Sequence, residues 1–172
     1  FRLYNVLPTR KRSKFGTRML DIFVQTKDTA ATPVWLVKSS ELKNWCGEHA
    51  GPGAAWVETS GFKADAGKVL LLPDGSGGLS GVLLGTGDGS DVFVTGALAS
   101  ALPVRTYRFA DKLEARADNA VLGFALGTYR FNLYSARRGE QPRLVLPEGV
   151  DGEELSRIAA AIFLVRDLIN TP

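Results

Sequence analysis

Residues 69–85 read Val-Leu-Leu-Leu-Pro-Asp-Gly-Ser-Gly-Gly-Leu-Ser-Gly-Val-Leu-Leu-Gly, and this segment constrains the architecture most strongly. Its two apolar runs, Val69–Leu72 and Leu79–Leu84, flank turn-forming residues in the pattern of a β-hairpin. The first run is continuously apolar, which predicts a strand buried on both faces. Gly81, inside the second run, indicates a β-bulge or the close approach of another segment. The sequence therefore predicts an antiparallel strand pair.

Three further segments have strand composition. Val34–Val37 is a short β-branched run that follows a proline, and Arg143–Pro147 is an apolar run that ends at one. Thr106–Phe109 alternates with a period of two, as a strand with one buried face does. These segments predict three more strands, spread along the chain.

Short helical signals lie between the strands. Ser40 is predicted to cap a helix that contains Leu42 and Trp45 at a spacing of three. The Gly51-Pro52-Gly53 segment predicts a turn that closes this region. Val92–Leu102 also has helical composition, and it stops at a proline.

Two longer helices are predicted in the second half of the chain. Residues 111–134 have a helical pattern in which Gly123 and Gly127 allow close packing on one face. That face also carries Leu113, Ala117, Val121, Phe124 and Thr128. Asp151 is predicted to cap the last helix, because acidic residues follow in its first turn, where the helix dipole favours them. Apolar residues recur along it at spacings of three and four, namely Leu155, Ile158, Ala159, Ile162, Val165 and Ile169.

Strands that alternate with helices favour an α/β fold with helices on both faces of one sheet. Because a hairpin is included, we predict a mixed, mostly parallel sheet. The chain of 172 residues is long enough for one domain with a sizeable core. We assign that domain to residues 19–150 and the last helix to residues 151–172.

A basic arm precedes the predicted domain. The net charge is +3, yet residues 1–18 hold six basic side chains and no acidic one, so the remaining chain is mildly acidic. We expect Met19 to be the native start and the arm to be disordered or not native. The arm could bind DNA, although DNA is not the partner we expect. Trp35, Trp45 and Trp56 are spaced as separate core anchors rather than as a platform for bases.

Cysteine content and hydropathy bear on location. Cys46 is the only cysteine, so the fold does not depend on a disulfide. No apolar run approaches the roughly 20 residues that a membrane-spanning helix needs. We therefore expect a cytoplasmic protein without a membrane partner.

The glycine-rich segment Gly85–Gly89 is the most suggestive candidate site. Glycines after a strand let backbone N–H groups approach a phosphate. However, Ser90 occupies the sixth position of the dinucleotide pattern, which needs glycine, and Asp88 would repel an anion. A calcium loop that uses Asp88, Ser90 and Asp91 lacks the bidentate glutamate. We interpret the segment as a structural turn.

Other residues do not assemble a site either. Cys46 and His49 could face one metal, but the chain holds no further cysteine or histidine for zinc or for a catalytic triad. Ser40 and Lys43 have the spacing of serine acyltransferases without their other signatures. Four aspartates lie beside turns, where they favour local hydrogen bonds: Asp65, Asp74, Asp88 and Asp91. We predict no catalytic, cofactor-binding or metal-binding residue.

The C-terminal third resembles a known family. Leu126–Phe131, which reads Leu-Gly-Thr-Tyr-Arg-Phe, and the nearby Tyr134 resemble a motif at the end of the N-terminal domain of leucyl aminopeptidases. Residues 150–159 resemble the start of that family's interdomain helix, and residues 166–172 resemble the segment that leads into its catalytic domain. Shorter upstream segments resemble a bacterial branch of the family: 61–64, 66–67, 71–73 and 81–85. The likeness covers residues 19–172.

The resemblance implies a macro-like fold and a role in a metal-dependent exopeptidase that removes N-terminal residues from peptides. In this family, carboxylates and a lysine of the C-terminal domain hold a pair of zinc or manganese ions. The family's Asn-Thr-Asp-Ala-Glu-Gly-Arg motif does not occur here, so no catalytic or metal residue is carried over. The implied partners are the protein's own catalytic domain, peptide substrates and the other subunits of a hexamer.

Two functions of different class therefore stay open. The chain is either the accessory domain of an aminopeptidase, inactive alone, or a macro-like binding module. A binding module would take a nucleotide, ADP-ribose or DNA, through the Gly85–Gly89 segment or through the basic arm.

Overall fold

A mixed sheet forms the centre of the computed structural model, which describes residues 21–25, 30–130 and 140–171. Its strands in these ranges are β1 (Phe23–Val24), β2 (Thr32–Val37), β3 (Val69–Pro73), β4 (Leu79–Gly85), β5 (Thr106–Phe109) and β6 (Arg143–Val145). Their spatial order is β1-β6-β5-β2-β4-β3. Within the described ranges, β3 and β4 pair antiparallel and every other pair is parallel. The predicted mixed, mostly parallel α/β fold is confirmed.

Helices cover both faces of the sheet. They are α1 (Leu42–Glu48), α2 (Pro52–Thr59), α3 (Leu98–Ala101), α4 (Ala117–Gly127) and α5 (Gly152–Asn170). Short 3-10 turns, Val94–Ala97 and Glu114–Arg116, precede α3 and α4. Because side chains alternate along a strand, Val82 and Leu84 of β4 enter the core under α4 and α5, whereas Leu83 enters the core under α1 and α2.

The predicted hairpin is present between β3 and β4. The Asp74 carboxylate closes its turn by accepting the N–H groups of Ser76 and Gly78, each at 2.8 Å. The prediction that the first strand is buried on both faces is wrong. β3 lies at the edge of the sheet, where helices cover it incompletely, and among its residues Leu72 alone is fully buried. Gly81 marks a close approach, since a Cβ there would overlap the Trp35 ring, with Cη2 at 3.1 Å and Cζ3 closer still.

The first two helices differ from the prediction. Ser40 does not cap α1, because Glu41 occupies the cap position and makes no side-chain cap bond. The neighbouring Ser39 instead donates to the Ala64 carbonyl at 3.1 Å. The predicted turn at residues 51–53 is in part the start of α2, because Pro52 is preorganised for the first position of a helix.

The tryptophans also depart from the prediction of separate core anchors. Trp45 is buried, but the ring of Trp35 contacts it edge-on with centroids 5.5 Å apart. Trp56 is 42% exposed, because it lies on the outer side of α2 while Val57 faces the core. Two of the three residues therefore form one aromatic cluster, and the third lies at the surface.

The two predicted helices in the middle of the chain are shorter than expected. In the 92–102 segment, the first two residues precede the 3-10 turn and are exposed. In the 111–134 segment, α4 spans only Ala117–Gly127, and Thr128 closes it by donating its hydroxyl to the Ala125 carbonyl at 2.7 Å. Residues 131–134 lie outside the described ranges, as does the predicted arm of residues 1–18.

The predicted cap of α5 is confirmed. The Asp151 carboxylate accepts the N–H groups of Glu153 and Glu154, both at 3.0 Å. Leu155 and Ala159, in the first half of the helix, are buried in the larger core. The predicted apolar stripe does not stay buried beyond them, and large apolar side chains near the end of α5 are exposed.

Candidate functional site

A crevice opens where the chain reverses direction across the sheet. From β2 the chain continues to β3 and β4 on one side of β2, and it then crosses to β5 and β6 on the other side. Small molecules bind α/β sheets outside the carboxyl ends of the strands at such a point. A cavity of about 380 Å³ lies there, lined by residues that follow β2, β4 and β5. This volume falls within the range of about 300–1,000 Å³ that is typical of ligand sites.

The cavity has an apolar wall and a charged wall. Leu36, Val92, Val94 and Leu113 form the apolar part. The charged residues are of both signs, three cations and three carboxylates: Lys38, Lys112, Arg116, Glu41, Asp91 and Asp111. A mixed lining of this kind suits a ligand that carries both charges and an apolar group.

Some of these charges are already engaged. Lys38 donates to the Glu41 carboxylate at 3.0 Å, and Asp91 accepts the N–H of Phe93 at 2.9 Å. In the described ranges, ion pairs join Lys38 to Glu41 and Glu154 to Arg157, and none involves Asp111, Lys112 or Arg116. These last three side chains are therefore free to meet a ligand.

Sequence reasoning missed these three residues because no motif joins them. Asp111 and Lys112 follow β5, and Arg116 ends the 3-10 turn before α4. The sequence feature that could have indicated them is their position in the chain, since polar residues directly after parallel strands meet at one edge of the sheet. The residues that follow β5 carry that signal.

The pKa of Asp111 differs from that of an ordinary aspartate. Although the residue is exposed, partial desolvation of its carboxylate raises its pKa above the ordinary aspartate value, while nearby His49 lowers it and nearby Glu48 raises it. Its pKa in the folded protein therefore exceeds that in the unfolded chain. The stabilising effect of protonating Asp111 is fully present below the unfolded pKa and is lost as pH rises through the folded pKa.

We predict that Asp111→Asn raises the thermal midpoint at neutral pH, because it removes a charge that the folded state disfavours. The gain should not exceed about 1 kcal/mol, since solvent screens this surface residue. It should decrease as pH falls and vanish by about pH 2, well below the ordinary aspartate pKa of about 3.9, where the carboxyl group is neutral in both states. Thermal denaturation at both pH values measures it. The matched change Asp118→Asn should instead lower stability slightly, since that carboxylate lies in the first turn of α4. A lower midpoint for Asp111→Asn at neutral pH would contradict the prediction.

The Gly85–Gly89 segment directs its amides inward. The N–H groups of Gly85, Thr86 and Gly87 donate to the carbonyls of Lys68, Val37 and Ala64, at 2.8–3.0 Å. The next amides stay within the segment, where Gly89 donates to the Thr86 carbonyl and Ser90 to the Asp88 carboxylate. These bonds leave few N–H groups for a phosphate. The geometry agrees with a structural turn and weakens the nucleotide-binding alternative.

Cys46 and His49 are engaged locally. Cys46 is half-buried in α1, and burial, together with the nearby Glu58, raises the pKa of its thiol, which disfavours the reactive thiolate. The His49 ring stacks on Trp45 at a centroid distance of 4.4 Å, and its Nδ1 lies 3.1 Å from the Trp45 carbonyl oxygen. In the ranges that the structure describes, no three histidine, cysteine, aspartate or glutamate residues group as metal ligands.

The other candidates also have local partners. Ser40 is exposed beside Glu41, whose carboxylate pairs with Lys38 rather than with Lys43. The Asp88 carboxylate accepts hydrogen bonds within its own turn, and the pKa of this group is lowered by those bonds. Asp74 and Asp91 likewise accept N–H groups two residues ahead. For Asp74, Asp88 and Asp91, the predicted turn role is confirmed.

A second region of interest joins α4 to α5. The Tyr129 hydroxyl donates to the Asp167 carboxylate at 2.8 Å. The Arg166 guanidinium lies 5.3 Å from the centroid of the Tyr129 ring and donates to the Leu126 carbonyl at 3.3 Å. We call Leu126, Tyr129, Arg166 and Asp167 the helix clasp. It brings together two sequence motifs that lie about 40 residues apart.

Beyond the helix clasp, the end of α5 presents an apolar surface. Four side chains there are more than half exposed, from 51% to 77%: Leu164, Val165, Leu168 and Ile169. Monomeric proteins rarely leave such side chains adjacent on a surface, and a patch of this kind marks an interaction site. We call these four residues the α5 apolar patch.

Among the described helices, none is long and apolar enough to cross a membrane.

The fold and these two regions define a class, a mixed α/β domain whose described ranges hold no grouped metal ligands and whose last described helix exposes an apolar patch. A family model described as the N-terminal domain of M17 aminopeptidases matches residues 32–147. The match covers more than half of the chain, and the chain belongs to this family. The predicted family is therefore confirmed.

Solved structures agree with the assignment. The cytosol aminopeptidase of Coxiella burnetii is 30% identical, with a TM-score of 0.78 over 88% of this chain and 34% of that one. The bottromycin maturation enzyme BotP, solved in complex with Mn, is 27% identical, with a TM-score of 0.58 over 84% and 32%. A mutant tomato leucine aminopeptidase, 15% identical, shows the fold alone, with a TM-score of 0.61 over 87% and 38%. The chain thus spans about a third of each. No curated protein matches in sequence.

Proposed function

We propose that the chain is the non-catalytic N-terminal domain of a metal-dependent aminopeptidase that removes N-terminal residues from peptides. Family membership supports this role, as does the fraction of the related structures that the chain spans. The described residues offer no group of metal ligands. By analogy with the family, we propose that the pair of manganese or zinc ions lies in a catalytic domain that follows α5. We propose a cytoplasmic location and a hexameric assembly for that protein.

The observation that carries the proposal is the α5 apolar patch. Full burial of an aliphatic side chain contributes about 1.5–3 kcal/mol, so four such residues on a helix end form a strong docking surface. The first half of α5 is fixed in the core by Leu155 and Ala159. The helix clasp fixes the direction of the second half. We propose that α5 is an interdomain helix, residues 151–172, and that its apolar patch packs on the catalytic domain.

The gene sequence after Pro172 tests the proposal directly. We expect the family's Asn-Thr-Asp-Ala-Glu-Gly-Arg motif there, and we expect the longer protein to hydrolyse leucine p-nitroanilide with manganese or zinc. The 172-residue chain should not hydrolyse it, because its sequence does not contain the family's metal-binding motif. Activity of the purified chain, or a continuation without the motif, would refute the proposal.

A variant pair tests the interdomain role of α5 in the longer protein. Leu168→Glu places a charge in the α5 apolar patch and should lower both stability and activity, because an unpaired buried charge costs several kcal/mol. Ala55→Glu is the matched control, since this residue is exposed on α2 and does not share a helix with the patch. Equal behaviour of the two variants would show that the patch does not dock.

A further inference from the structure

The cavity at the strand ends is bipolar. At one end a Cβ on Gly89 would lie 3.1 Å from Cε of Lys38 and 3.7 Å from Nη1 of Arg116, so two cations flank the same loop backbone. The acidic side chain of Asp111 is influenced instead by His49 and Glu48, at the end of α1. The crevice therefore has Arg116 and the Glu41-paired Lys38 at the glycine-rich loop, and Asp111 toward α1.

The apolar part of the lining suits an aliphatic group. Leu36, Val92 and Leu113 line the cavity, and Val92 is 49% exposed in spite of its apolar side chain. Covering Val92 with a ligand would remove apolar surface from water, which is favourable at about 25 cal/mol per Å². Thr86 and Asn119 also line the cavity, and they add hydrogen-bonding groups.

We propose that this crevice binds a small zwitterion with an aliphatic side chain, that is, a free α-amino acid or a dipeptide. Arg116 binds its carboxylate, Asp111 binds its ammonium group, and the wall at Leu36, Val92 and Leu113 receives its side chain. The assignment of this site does not require the proposed activity. Free amino acids are nevertheless the products that such an activity would release.

A polyanionic ligand fits the crevice less well. Asp91 and Asp111 would face its phosphates and repel them. The amides of the Gly85–Gly89 segment, which would otherwise bind phosphate oxygens, mostly donate within the protein. The larger cavity of about 440 Å³, at the amino ends of β5 and β6, adjoins the ends of the described ranges at Asp21 and Glu140, so its walls are only partly described and it supports no assignment.

Calorimetry of the 172-residue chain with leucine and with leucyl-leucine tests the proposal. We expect binding of at least one of the two. Leucinamide lacks the carboxylate, and N-acetyl-leucine lacks the ammonium group. Each should bind about ten- to a hundredfold more weakly, the loss expected for one hydrogen bond to a charged group. Absence of binding by both zwitterions at millimolar concentration would overturn the proposal, and so would tight binding of ADP-ribose at this crevice.

Variants assign each end of the ligand. Asp111→Asn should weaken leucine binding about tenfold or more and abolish the difference between leucine and N-acetyl-leucine. Arg116→Gln should do the same for leucine and leucinamide. The matched controls Asp118→Asn and Arg108→Gln, at exposed residues outside the cavity, should bind leucine as the parent chain does. Circular dichroism verifies that each variant is folded. Crevice variants that bind leucine unchanged would overturn the proposal.

Discussion

Gly127→Val is expected to destabilise the domain by about 3 kcal/mol, the upper part of the range for overpacking a close contact. Gly127 is the last residue of α4 and packs against the 3-10 turn before α3. A Cβ on Gly127 would stand 2.8 Å from the Cα of Gly96, and its other near neighbours are also backbone atoms of Gly96. No flexible side chain can give way. The helix or the 3-10 turn must therefore move, and Thr95, which donates to the Ala120 carbonyl at 2.7 Å, would move with it.

A second helical glycine, one without close neighbours, distinguishes the effect of this contact from the general effect of replacing a glycine in a helix. Gly47 lies in α1, and a Cβ there would meet nothing within 4 Å. Gly47→Ala should therefore stabilise the domain by about 0.5–1 kcal/mol, because alanine loses less backbone entropy on folding. Urea denaturation of both variants measures the contrast. A change at Gly127 that is as mild as the one at Gly47 would show that the two segments are not in contact.

The local elements of this fold were predictable where one short pattern carries the information. The hairpin turn needs only an aspartate and nearby glycines, and the cap of α5 needs only Asp151 and two following amides. The close packing at Gly127 was also foreseeable, because glycine destabilises a helix and its place on an apolar face favours the close approach of another backbone. Each of these features depends on residues within a few positions of one another.

Features that depend on strand order were not predictable in the same way. The continuously apolar run of β3 predicted a strand buried on both faces, but such a run shows only which side chains are present. The edge position of β3 depends on the later strands, which pair on the far side of β2. The apolar stripe of α5 has uniform spacing, yet only its first half meets this domain's core. The sequence pattern contains both halves and cannot separate a core from an interface.

The crevice depends on strand order even more strongly. Lys38 follows β2, whereas Asp111 and Arg116 lie between β5 and α4, and the strand order brings these two segments to one end of the sheet. No motif spacing predicts such a meeting. The glycine-rich segment matches part of a phosphate-binding pattern, yet most of its amides donate hydrogen bonds within the protein. Thus the Gly85–Gly89 segment contributes to the lining of the cavity, whereas residues that match no motif supply charged groups: Lys38, Asp111 and Arg116.

Leu144→Ala is expected to cost about 2–5 kcal/mol, as for other large-to-small changes in a packed core. Leu144 is fully buried at the centre of β6, where it pairs in register with Phe23 of β1 and Tyr107 of β5. Removing its side chain leaves a cavity beside two strands whose positions it fixes. The measurement is the free energy of unfolding from urea denaturation of the 172-residue chain. A loss below about 1 kcal/mol would mean that the site collapses around the change.

Leu168→Ala is the matched substitution at an exposed leucine, since Leu168 is 68% exposed on α5. In the 172-residue chain it should change the free energy of unfolding by no more than about 0.5 kcal/mol. In a longer protein that contains the proposed catalytic domain, the same substitution should cost about 2 kcal/mol or more, because the side chain would then be buried. Leu144→Ala should cost the same in both contexts. A context-dependent cost at Leu168 alone would therefore identify α5 as a shared element, whose first half belongs to this domain and whose second half belongs to the next.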